Sequence, residues 1–440
     1  MDAKTVKIGL VGFGTVGSGV AKILQENGQE IAERTGIRLE LACVADKDIT
    51  TPRVVSLPAG VLTDDVSQLL NDKSIDIAIE LVGGTTFAKD LVLTMLAAGK
   101  HVVTANKALL SEQGAELYRA ALKARRCIAF EASCCGGIPI VSALRTGLAA
   151  NQISALYGIF NGTCNYILTN MTRSGTAFAD VLKAAQDKGF AEADPTLDID
   201  GTDTAHKLAL LAGLAFGCRI EMKDIHIDGI QDVQIDDIRN GQEMGYVLKL
   251  LAIGEKDAAG QLSLRVHPSF VSEETPLADV DGPFNAVSVF GNAVGNVMFY
   301  GRGAGMMATA SAVVADIIDI ALGTSERLFE RMPMVTEKRK AANFKKIDDI
   351  VSRFYLRIMA KDEPGVFAKY GQVLGKHGIS ISGAMQHEGS GPDSTVPVVI
   401  TTHPTRQKNM AAALNELQRL DIVRGKPVCI RIVEIPEDKE

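Results

Sequence analysis

The chain has 440 residues, of which 46% are hydrophobic and 22% charged, and its formal net charge is −7. This length predicts two or three domains, because single hydrophobic cores stop growing beyond ~250–300 residues. The charge balance excludes the basic face of a nucleic-acid-binding protein. The longest apolar stretch, Leu208–Gly217, is far below the ~20 residues of a membrane-spanning helix, so no membrane partner is expected. The seven cysteines form no C-x-x-C pair, which predicts a reducing, cytoplasmic location.

The first 130 residues alternate short apolar strands with helices, which predicts an α/β domain with a doubly wound parallel sheet. The predicted strands are Val6–Val11, Leu39–Ala45, Ile75–Leu81, Lys100–Thr104 and Cys127–Phe130. The predicted helices are Val16–Gln29, Phe87–Ala98 and one from Lys107 to about Lys123. A glycine-rich turn, Gly136-Gly137-Ile138-Pro139, follows, so the first domain is predicted at 1–135.

The second domain, predicted at 136–324, mixes helices and strands. Its longest helix is predicted from about Thr202 to Phe216, and two of its strands at Val287–Phe290 and Val297–Tyr300. Gly301, Gly303 and Gly305 lead into a long apolar helix, Met306–Leu322. We expect this helix to pack back on the first domain.

Dense mixed charge at 325–352 predicts a solvated connector that few core contacts cross. Residues 353–436 then show a β-α-β-β-α-β pattern, which predicts a ferredoxin-like domain. Its predicted elements are Phe354–Ala360, Val366–Lys376, Ile379–Met385, Val396–Thr401, Gln407–Leu420 and Val428–Val433.

A glycine turn, Gly12-Phe13-Gly14-Thr15-Val16-Gly17, follows the first strand and opens a helix. In that context G-x-G-x-x-G is typical of a dinucleotide site: the glycines permit a tight turn and a close approach to the pyrophosphate. Asp46, at the end of the second strand, is the candidate ligand of the ribose hydroxyls, which would disfavour a 2′-phosphate. Lys47 beside it could offset that effect, so the sequence allows NAD or NADP.

A second group of candidate functional residues lies on the predicted helix at 202–216. Asp203 and Lys207 are four residues apart and share one helical face. They could be an ordinary surface pair. The continuation to Phe216, however, is apolar all round and predicts a buried helix. Lys207 would then emerge into a cleft, where it could protonate a carbonyl oxygen that receives hydride.

An acidic loop precedes this helix. Gly189-Phe190-Ala191-Glu192-Ala193-Asp194-Pro195-Thr196-Leu197-Asp198 holds three carboxylates, which are either a solvated turn or a receptor for a substrate ammonium group. Lys107 follows a strand of the first domain, at the carboxyl edge where ligands of parallel sheets bind. It could equally be a surface residue that opens a helix.

Together these motifs resemble those of the monofunctional bacterial homoserine dehydrogenases over nearly the whole chain. The matching segments are Gly12–Gly17, Val103-Thr104-Ala105-Asn106-Lys107, Gly189–Pro195 and Asp200–Leu208. The family reduces L-aspartate 4-semialdehyde to L-homoserine, on the route to threonine, methionine and isoleucine. The resemblance implies an N-terminal Rossmann domain, a central α+β domain for catalysis and dimerisation, and a homo-oligomer, either a dimer or a tetramer.

The resemblance also assigns roles to residues. It implies Lys207 as proton donor, Gly189, Glu192 and Asp203 at the substrate, and Lys107 beside the cofactor and the reacting centre. Gly305 would contact the cofactor. A sodium ion is implied near the turn at 131–138, and its matching positions are Glu131 and the carbonyls of Cys134, Gly136 and Ile138.

The C-terminal block resembles an ACT domain, a module that pairs side by side and binds amino acids. The resemblance rests on the turn Lys361-Asp362-Glu363-Pro364-Gly365-Val366. It implies L-threonine as effector and places Asp362 and Gly365 in the binding turn. Threonine is similar to homoserine in size and charge, so competition at the active site is the alternative route of inhibition.

Two other functions are compatible with parts of the sequence. Ala132-Ser133-Cys134-Cys135 is similar to the nucleophile turn of phosphorylating aldehyde dehydrogenases, where a thiolate attacks the aldehyde. That chemistry needs a base, and neither His101 nor His206 lies in a recognisable pairing. A non-catalytic sensor of nucleotides and amino acids is the second alternative, and it would leave the lysines and carboxylates without a role.

Overall fold

The computed structural model describes residues 4–331, 342–386 and 395–436. The first domain contains β1 (Lys4–Val11), α1 (Thr15–Thr35), β2 (Ile37–Ala45), β3 (Leu62–Thr63), α2 (Val66–Asn71), β4 (Ile75–Glu80), α3 (Phe87–Ala97), β5 (His101–Thr104), α4 (Lys107–Ala124) and β6 (Ile128–Ala129). All strand pairs are parallel and the order is β3-β2-β1-β4-β5-β6. The doubly wound sheet is confirmed, and its order reverses beside the glycine turn that follows β1.

Helix α1 extends two turns beyond its predicted end at Gln29. Its second half is charged and solvent-facing, and Arg34 pairs with Glu30 at 3.5 Å. Because these residues have no apolar period, the sequence pattern does not predict them as helix. The helix ends at Gly36, whose φ of 71° is the left-handed conformation of a glycine C-cap.

The central domain is built on an antiparallel sheet covered by helices. It contains α5 (Ile140–Ser142), β7 (Ile153–Ile159), α6 (Gly162–Ser174), α7 (Phe178–Asp187), α8 (Thr196–Ile199), α9 (Thr202–Phe216), β8 (Ile225–Ile227), α10 (Ile235–Glu243), β9 (Tyr246–Lys256), β10 (Leu262–Ser272), β11 (Phe284–Gly291), β12 (Gly295–Arg302), α11 (Met306–Ala321) and α12 (Thr324–Arg331). The principal strand order is β12-β11-β7-β9-β10. The predicted long helices and the two predicted strands are confirmed.

Three long strands of this sheet, β7, β9 and β10, were absent from the sequence prediction. In β9 a lysine lies in the middle of the apolar run, and such a charge is unexpected in a buried strand. Lys249 is nevertheless fully buried, because its Nζ donates to the Val280 carbonyl at 2.6 Å and pairs with Asp281 at 3.3 Å. Only the tertiary fold supplies these partners, which lie about thirty residues away in sequence.

The C-terminal domain has the predicted β-α-β-β-α-β order. It contains β13 (Val351–Lys361), α13 (Val366–Lys376), β14 (Ile381–Gln386), β15 (Thr395–Thr402), β16 (Thr405–Arg406), α14 (Gln407–Leu417) and β17 (Val423–Ile432). The main strands pair antiparallel in the order β17-β13-β15-β14. Both helices pack on one face of this sheet, where Leu356, Ile358 and Ile400 meet Leu374 and Met410.

The expectation that few core contacts join this domain to the rest is wrong. Strand β17 pairs in parallel with β10, with Ser269 opposite Arg431, so the two sheets form one continuous sheet. The face of β13 that its helices leave open packs on the central domain, where the rings of Tyr355 and Phe270 lie 5.1 Å apart. The connector predicted at 325–352 begins as α12, and its residues 332–341 lie outside the described part. Charge in the connector does not predict what the following strands pack against.

Helix α11 returns from the central domain to the first domain. It packs on α1, where a Cβ added at Gly19 would lie 2.9 Å from Met306 Cγ and 3.0 Å from Ala310 Cβ. Among the residues described, no single helix is long and apolar enough to cross a membrane. The helices α11 and α12 pass that test on length and composition only as a pair bent by 82°.

Candidate active site

The glycine turn has the geometry that a pyrophosphate requires. Gly12 has φ +99°, and a Cβ there would lie 2.5 Å from the Leu81 carbonyl oxygen. A Cβ at Gly17 would overlap the carbonyl oxygen of Gly12, whereas Gly14 faces open space. Gly14 caps α1 without a side-chain hydrogen bond to the helix amides. Those amides can therefore bind an anion at the helix N-terminus.

Asp46 lies at the carboxyl end of β2 but is engaged with the backbone. Its Oδ2 accepts from the amide of Phe13 in the glycine turn, and its Oδ1 accepts from the amide of Asp48 at 2.9 Å. Arg53, which no sequence motif indicated, donates from Nε to the Phe13 carbonyl at 2.8 Å. Lys47 lies over the Phe87 ring at 5.9 Å. The edge where a ribose would bind thus carries two cations and two carboxylates, and Arg53 Nη2 lies 3.4 Å from Asp48 Oδ2.

The neighbouring strand ends are organised by Glu80, which the sequence motifs also failed to indicate. Its buried carboxylate accepts from the amides of Val82 at 2.9 Å and Gly83 at 3.2 Å, and from Thr104 Oγ1 at 2.6 Å. Gly83 has φ +71°, which a residue with a side chain adopts rarely. The sequence feature that could have indicated Glu80 is an acidic residue at the end of a predicted strand. Glu80 holds the loop at the carboxyl edge of the sheet.

Asp203 brings the two candidate lysines together. Lys207 Nζ lies 2.7 Å from Asp203 Oδ2, and Lys107 Nζ lies 3.1 Å from Asp203 Oδ1. Lys207 Nζ also donates to the Phe160 carbonyl at 2.6 Å. Only 12% of the Lys207 side chain and 10% of the Asp203 side chain are exposed, so this is no ordinary surface pair. The helix α9 therefore meets Lys107 of the first domain in one cleft.

The charges in this cleft stabilise one another. Burial alone would raise the pKa of Asp203, but Lys207 and Lys107 outweigh it and hold the pKa well below its usual value. Burial is the largest single effect on Lys207 and opposes its charge, but the neighbouring acidic groups together, chiefly the Asp203 carboxylate, outweigh it and raise the pKa of the amine. An ammonium group has three N–H donors, and two of them are bound to Phe160 and Asp203. The third makes no hydrogen bond to a described residue.

The acidic loop divides into three separate roles. Asp194 accepts from Thr196 Oγ1 at 2.6 Å and from the Thr196 amide at 3.1 Å, so it holds the start of α8. Asp198 accepts from Asn161 Nδ2 at 2.7 Å, and the same amide donates to Asp203 Oδ2 at 2.9 Å. Asn161 caps α6, a role that its position before a helix could have indicated. Only Glu192 keeps an exposed carboxylate with no hydrogen bond among the described residues.

The loop that carries Glu192 is held against α6, close to this cleft. Thr163 Oγ1 donates to the Phe190 carbonyl at 2.8 Å, and the rings of Phe190 and Tyr166 lie 4.6 Å apart. Gly189 has φ +74°, and a Cβ added there would have no neighbour within 4 Å, so this glycine gives the loop its turn. Glu192 therefore lies on a loop that is held against the first turns of α6.

The turn at 131–138 leaves the thiol alternative without support. Burial raises the pKa of Cys135 to about 11 and that of Cys134 further, so both stay protonated. Neither histidine serves them as a base. His101 Nδ1 lies 3.2 Å from Cys127 Sγ, and His206 Nε2 lies 3.6 Å from Glu112 Oε1.

The same turn is held by Glu131 and by close contact with residue 303. The two Glu131 carboxylate oxygens accept from the amides of Val141 and Ser142, each at 2.8 Å. Gly136 has φ +51°, and a Cβ there would lie 2.6 Å from the Gly303 carbonyl oxygen.

In the turn that precedes α13 of the C-terminal domain, Gly365 caps the helix with φ +95°, and a Cβ added there would have no neighbour within 4 Å. Asp362, in the turn before α13, accepts a hydrogen bond through Oδ1 from Nε2 of Gln386, the last residue of β14, at 3.1 Å.

Comparison with known proteins agrees with this arrangement. Family models described as homoserine dehydrogenase, NAD binding domain, match residues 12–131, and as homoserine dehydrogenase match 139–318. An ACT domain model matches 354–421. The chain is 42% identical to a homoserine dehydrogenase of Neisseria gonorrhoeae over 98% of this chain and 99% of that protein. It is 39% identical to that of Bacillus subtilis over 96% of each.

Solved structures give the same result. The crystal structure of a homoserine dehydrogenase from Thiobacillus denitrificans has a TM-score of 0.90 and 39% identity, covering 98% of this chain and 99% of that one. A hyperthermophilic archaeal homoserine dehydrogenase in complex with NADPH has a TM-score of 0.60 and 26% identity, covering 72% of this chain and 98% of that one. The chain belongs to the homoserine dehydrogenase family, as an NAD(P)-binding oxidoreductase that acts on a CH–OH group and carries a C-terminal ACT domain.

Proposed function

We propose that the chain interconverts L-aspartate 4-semialdehyde and L-homoserine, with Lys207 as the proton donor and NAD or NADP as cofactor. The observation that carries this proposal is the bridge between Lys207, Asp203 and Lys107. It fixes a charged amine in a cleft between the nucleotide-binding domain and α9, with one N–H left for a ligand.

When bound, the nicotinamide supplies the hydride to the aldehyde carbon. The carbonyl oxygen then gains negative charge, and Lys207 protonates it to form the hydroxyl of homoserine. Asp203 keeps the amine charged before the transfer and oriented during it. In the opposite direction the neutral amine of Lys207 accepts the hydroxyl proton. Lys107 adds a second positive charge beside the reacting oxygen.

The substrate also has an α-ammonium and an α-carboxylate. We assign the ammonium to Glu192, whose exposed carboxylate has no hydrogen bond among the described residues, with Gly189 providing the turn of its loop. The glycine turn, Asp46 and Gly305 would hold the cofactor. Gly305 caps α11 with φ +117° and faces open space, which allows a ligand to approach its backbone closely.

A sodium ion, L-threonine as effector and a dimer or tetramer are further parts of the proposal. The turn at 131–138 offers the carbonyl oxygens of Cys134, Gly136 and Ile138, and hard cations prefer such ligands. Glu131 fits beside them as the group that holds the turn, because its carboxylate binds backbone amides. The turn at Asp362 and Gly365 is the proposed threonine site. None of the seven cysteines forms a disulfide, which supports a cytoplasmic place in threonine, methionine and isoleucine synthesis.

The direct test follows the absorbance of reduced nicotinamide with the purified full-length chain. L-Homoserine with NADP or NAD should give reduced cofactor, and L-serine, which is one methylene shorter, should give far less. Oxidation of L-serine as fast as that of L-homoserine would contradict the proposed substrate. Absence of any reduction of either nucleotide with L-homoserine would contradict the proposed reaction.

A further inference from the structure

The carbonyl of Phe160 accepts two hydrogen bonds at the centre of the proposed site. Lys207 Nζ donates to it at 2.6 Å, and Asn285 Nδ2 donates at 2.9 Å. Phe160 joins β7 to α6, while Asn285 lies on the neighbouring strand β11. Both residues are completely buried. The general acid and a buried amide therefore meet through one backbone oxygen.

The orientation of the Asn285 side chain is determined by its surroundings. A carbonyl oxygen only accepts hydrogen bonds, so the Nδ2 group must face Phe160. Its Oδ1 is buried without a hydrogen-bond partner among the residues described. A buried polar atom without a partner is unfavourable, and an apolar side chain of similar volume would avoid that cost. The hydrogen bond from Nδ2 to the Phe160 carbonyl is thus the favourable contribution that this side chain makes.

Two neighbours restrict this amide further. A Cβ at Gly303 would overlap the Asn285 side chain, so the backbone after β12 closes directly on it. On another side lies the buried Cys135 side chain, close to the amide of Asn285. The amide consequently has little freedom to rotate.

We propose that Asn285 is a positioning residue for Lys207. By holding the Phe160 carbonyl, it fixes the direction of one Lys207 N–H, and Asp203 fixes a second. The third N–H then has one direction left, towards the substrate oxygen. Asn285 acts through Phe160, so it is not itself a catalytic residue. This inference rests on the proposed role of Lys207 as proton donor.

Loss of the amide should have a specific kinetic signature. With the carbonyl free to turn, the charged amine loses an aligned acceptor, so the pKa of Lys207 should fall. Reduction needs the charged amine. The decline of kcat for reduction at high pH, which is the basic limb of its pH profile, should therefore move to lower pH. The kcat should fall by roughly tenfold, a fraction of the ~10²–10⁴-fold effect of a general acid. The KM values for substrate and cofactor should change little, because Asn285 contacts neither.

Asn285→Leu and the smaller Asn285→Ala test this, since neither side chain carries a group that can donate to the Phe160 carbonyl. Asn165 offers a matched control. It is also buried, its Nδ2 donates to the carbonyls of Val280 and Gly282 at 2.9 Å each, and its Oδ1 likewise has no partner among the described residues. Asn165→Leu and Asn165→Ala should lower stability without moving the basic limb of the pH profile. Should Asn285→Leu fail to fold, the alanine pair still decides the comparison.

Each outcome has a definite meaning. A basic limb that shifts in the Asn285 variants and not in the Asn165 variants supports the inference. A parental kcat and pH profile in Asn285→Ala overturns it, as does the same profile in both alanine variants. Lys207→Ala separates the two proposals. If Lys207→Ala keeps near-normal kcat, the proton-donor role fails and this inference with it; if only the Asn285 variants keep kcat, this inference alone fails.

Discussion

Asp237 on α10 and Arg357 on β13 form a buried ion pair between the central and C-terminal domains. Arg357 Nε donates to Asp237 Oδ1 at 2.6 Å, and Nη2 donates to Oδ2 at 3.0 Å. The Tyr355 hydroxyl also donates to Asp237 Oδ1, at 3.0 Å. Asp237 is completely buried, so its charge depends on partners that the C-terminal domain supplies. The C-terminal domain is therefore part of the same folding unit as the central domain.

Arg357→Met should therefore destabilise the whole chain. Breaking a buried pair leaves the partner's charge uncompensated, at a cost of ~3–5 kcal/mol. Arg353→Met is the matched control, because Arg353 lies on the same strand and pairs at 3.2 Å with Glu434, which is exposed. The Arg353→Met variant should lose less than about 1 kcal/mol of unfolding free energy. Urea unfolding at neutral pH measures both. Equal losses would show that the Asp237 pair has no special role.

Lys207→Ala should lower kcat by about 10²–10⁴-fold, the usual effect of removing one general acid. Cofactor affinity should barely change. The exposed Lys188, which donates to Tyr166 Oη at 3.2 Å, gives the control Lys188→Ala. In the parent enzyme the raised pKa of Lys207 keeps the amine charged, so reduction should be lost only as pH rises through that pKa. A near-normal kcat in Lys207→Ala would remove the residue from the mechanism.

Glu192→Gln should reduce kcat/KM for L-homoserine by roughly 10–150-fold. This is the loss of a charge-assisted hydrogen bond of ~1.5–3 kcal/mol. NADPH binding, measured by fluorescence titration, should stay intact. Asp187→Asn is the control, because Asp187 is an exposed carboxylate at the end of α7. If Glu192→Gln behaves like this control, the acidic loop is only a solvated turn.

Arg53→Gln should impair the use of NADP more than that of NAD. Both carboxylate oxygens of Asp46 already bind backbone amides, and Arg53 is held at the glycine turn. A guanidinium there can bind a 2′-phosphate, which only NADP has. We expect kcat/KM for NADP to fall by roughly 10–150-fold, from a charged hydrogen bond of ~1.5–3 kcal/mol. Initial rates with both cofactors measure this, and equal losses would contradict it.

Asp362→Asn and Gly365→Ala should weaken inhibition by L-threonine without changing L-homoserine oxidation. Allosteric coupling of ~1–3 kcal/mol predicts a 5–150-fold change in the inhibition constant. Truncation near residue 339 is a poorer test, because it would expose β10 and leave Asp237 unpaired. Full, competitive inhibition of both variants would instead place threonine at the active site.

The sequence by itself determined the local parts of the protein. The glycine turn could be recognised because a strand, three spaced glycines and a helix follow one another in the chain. Asp203 and Lys207 could be paired because four residues along a helix bring side chains to one face. The ferredoxin-like order of the C-terminal domain followed in the same way from alternating short segments.

The tertiary structure decided what meets these parts. Lys107 reaches Asp203 only because two domains close on one cleft, and Asn285 meets Phe160 only because β7 and β11 pair. The parallel pairing of β10 with β17 joins residues more than 150 positions apart. No local period records such contacts, because each depends on the burial of both partners together. That is why the sequence could single out Lys207 as the proposed proton donor, whereas only the structure shows which residues hold its amine.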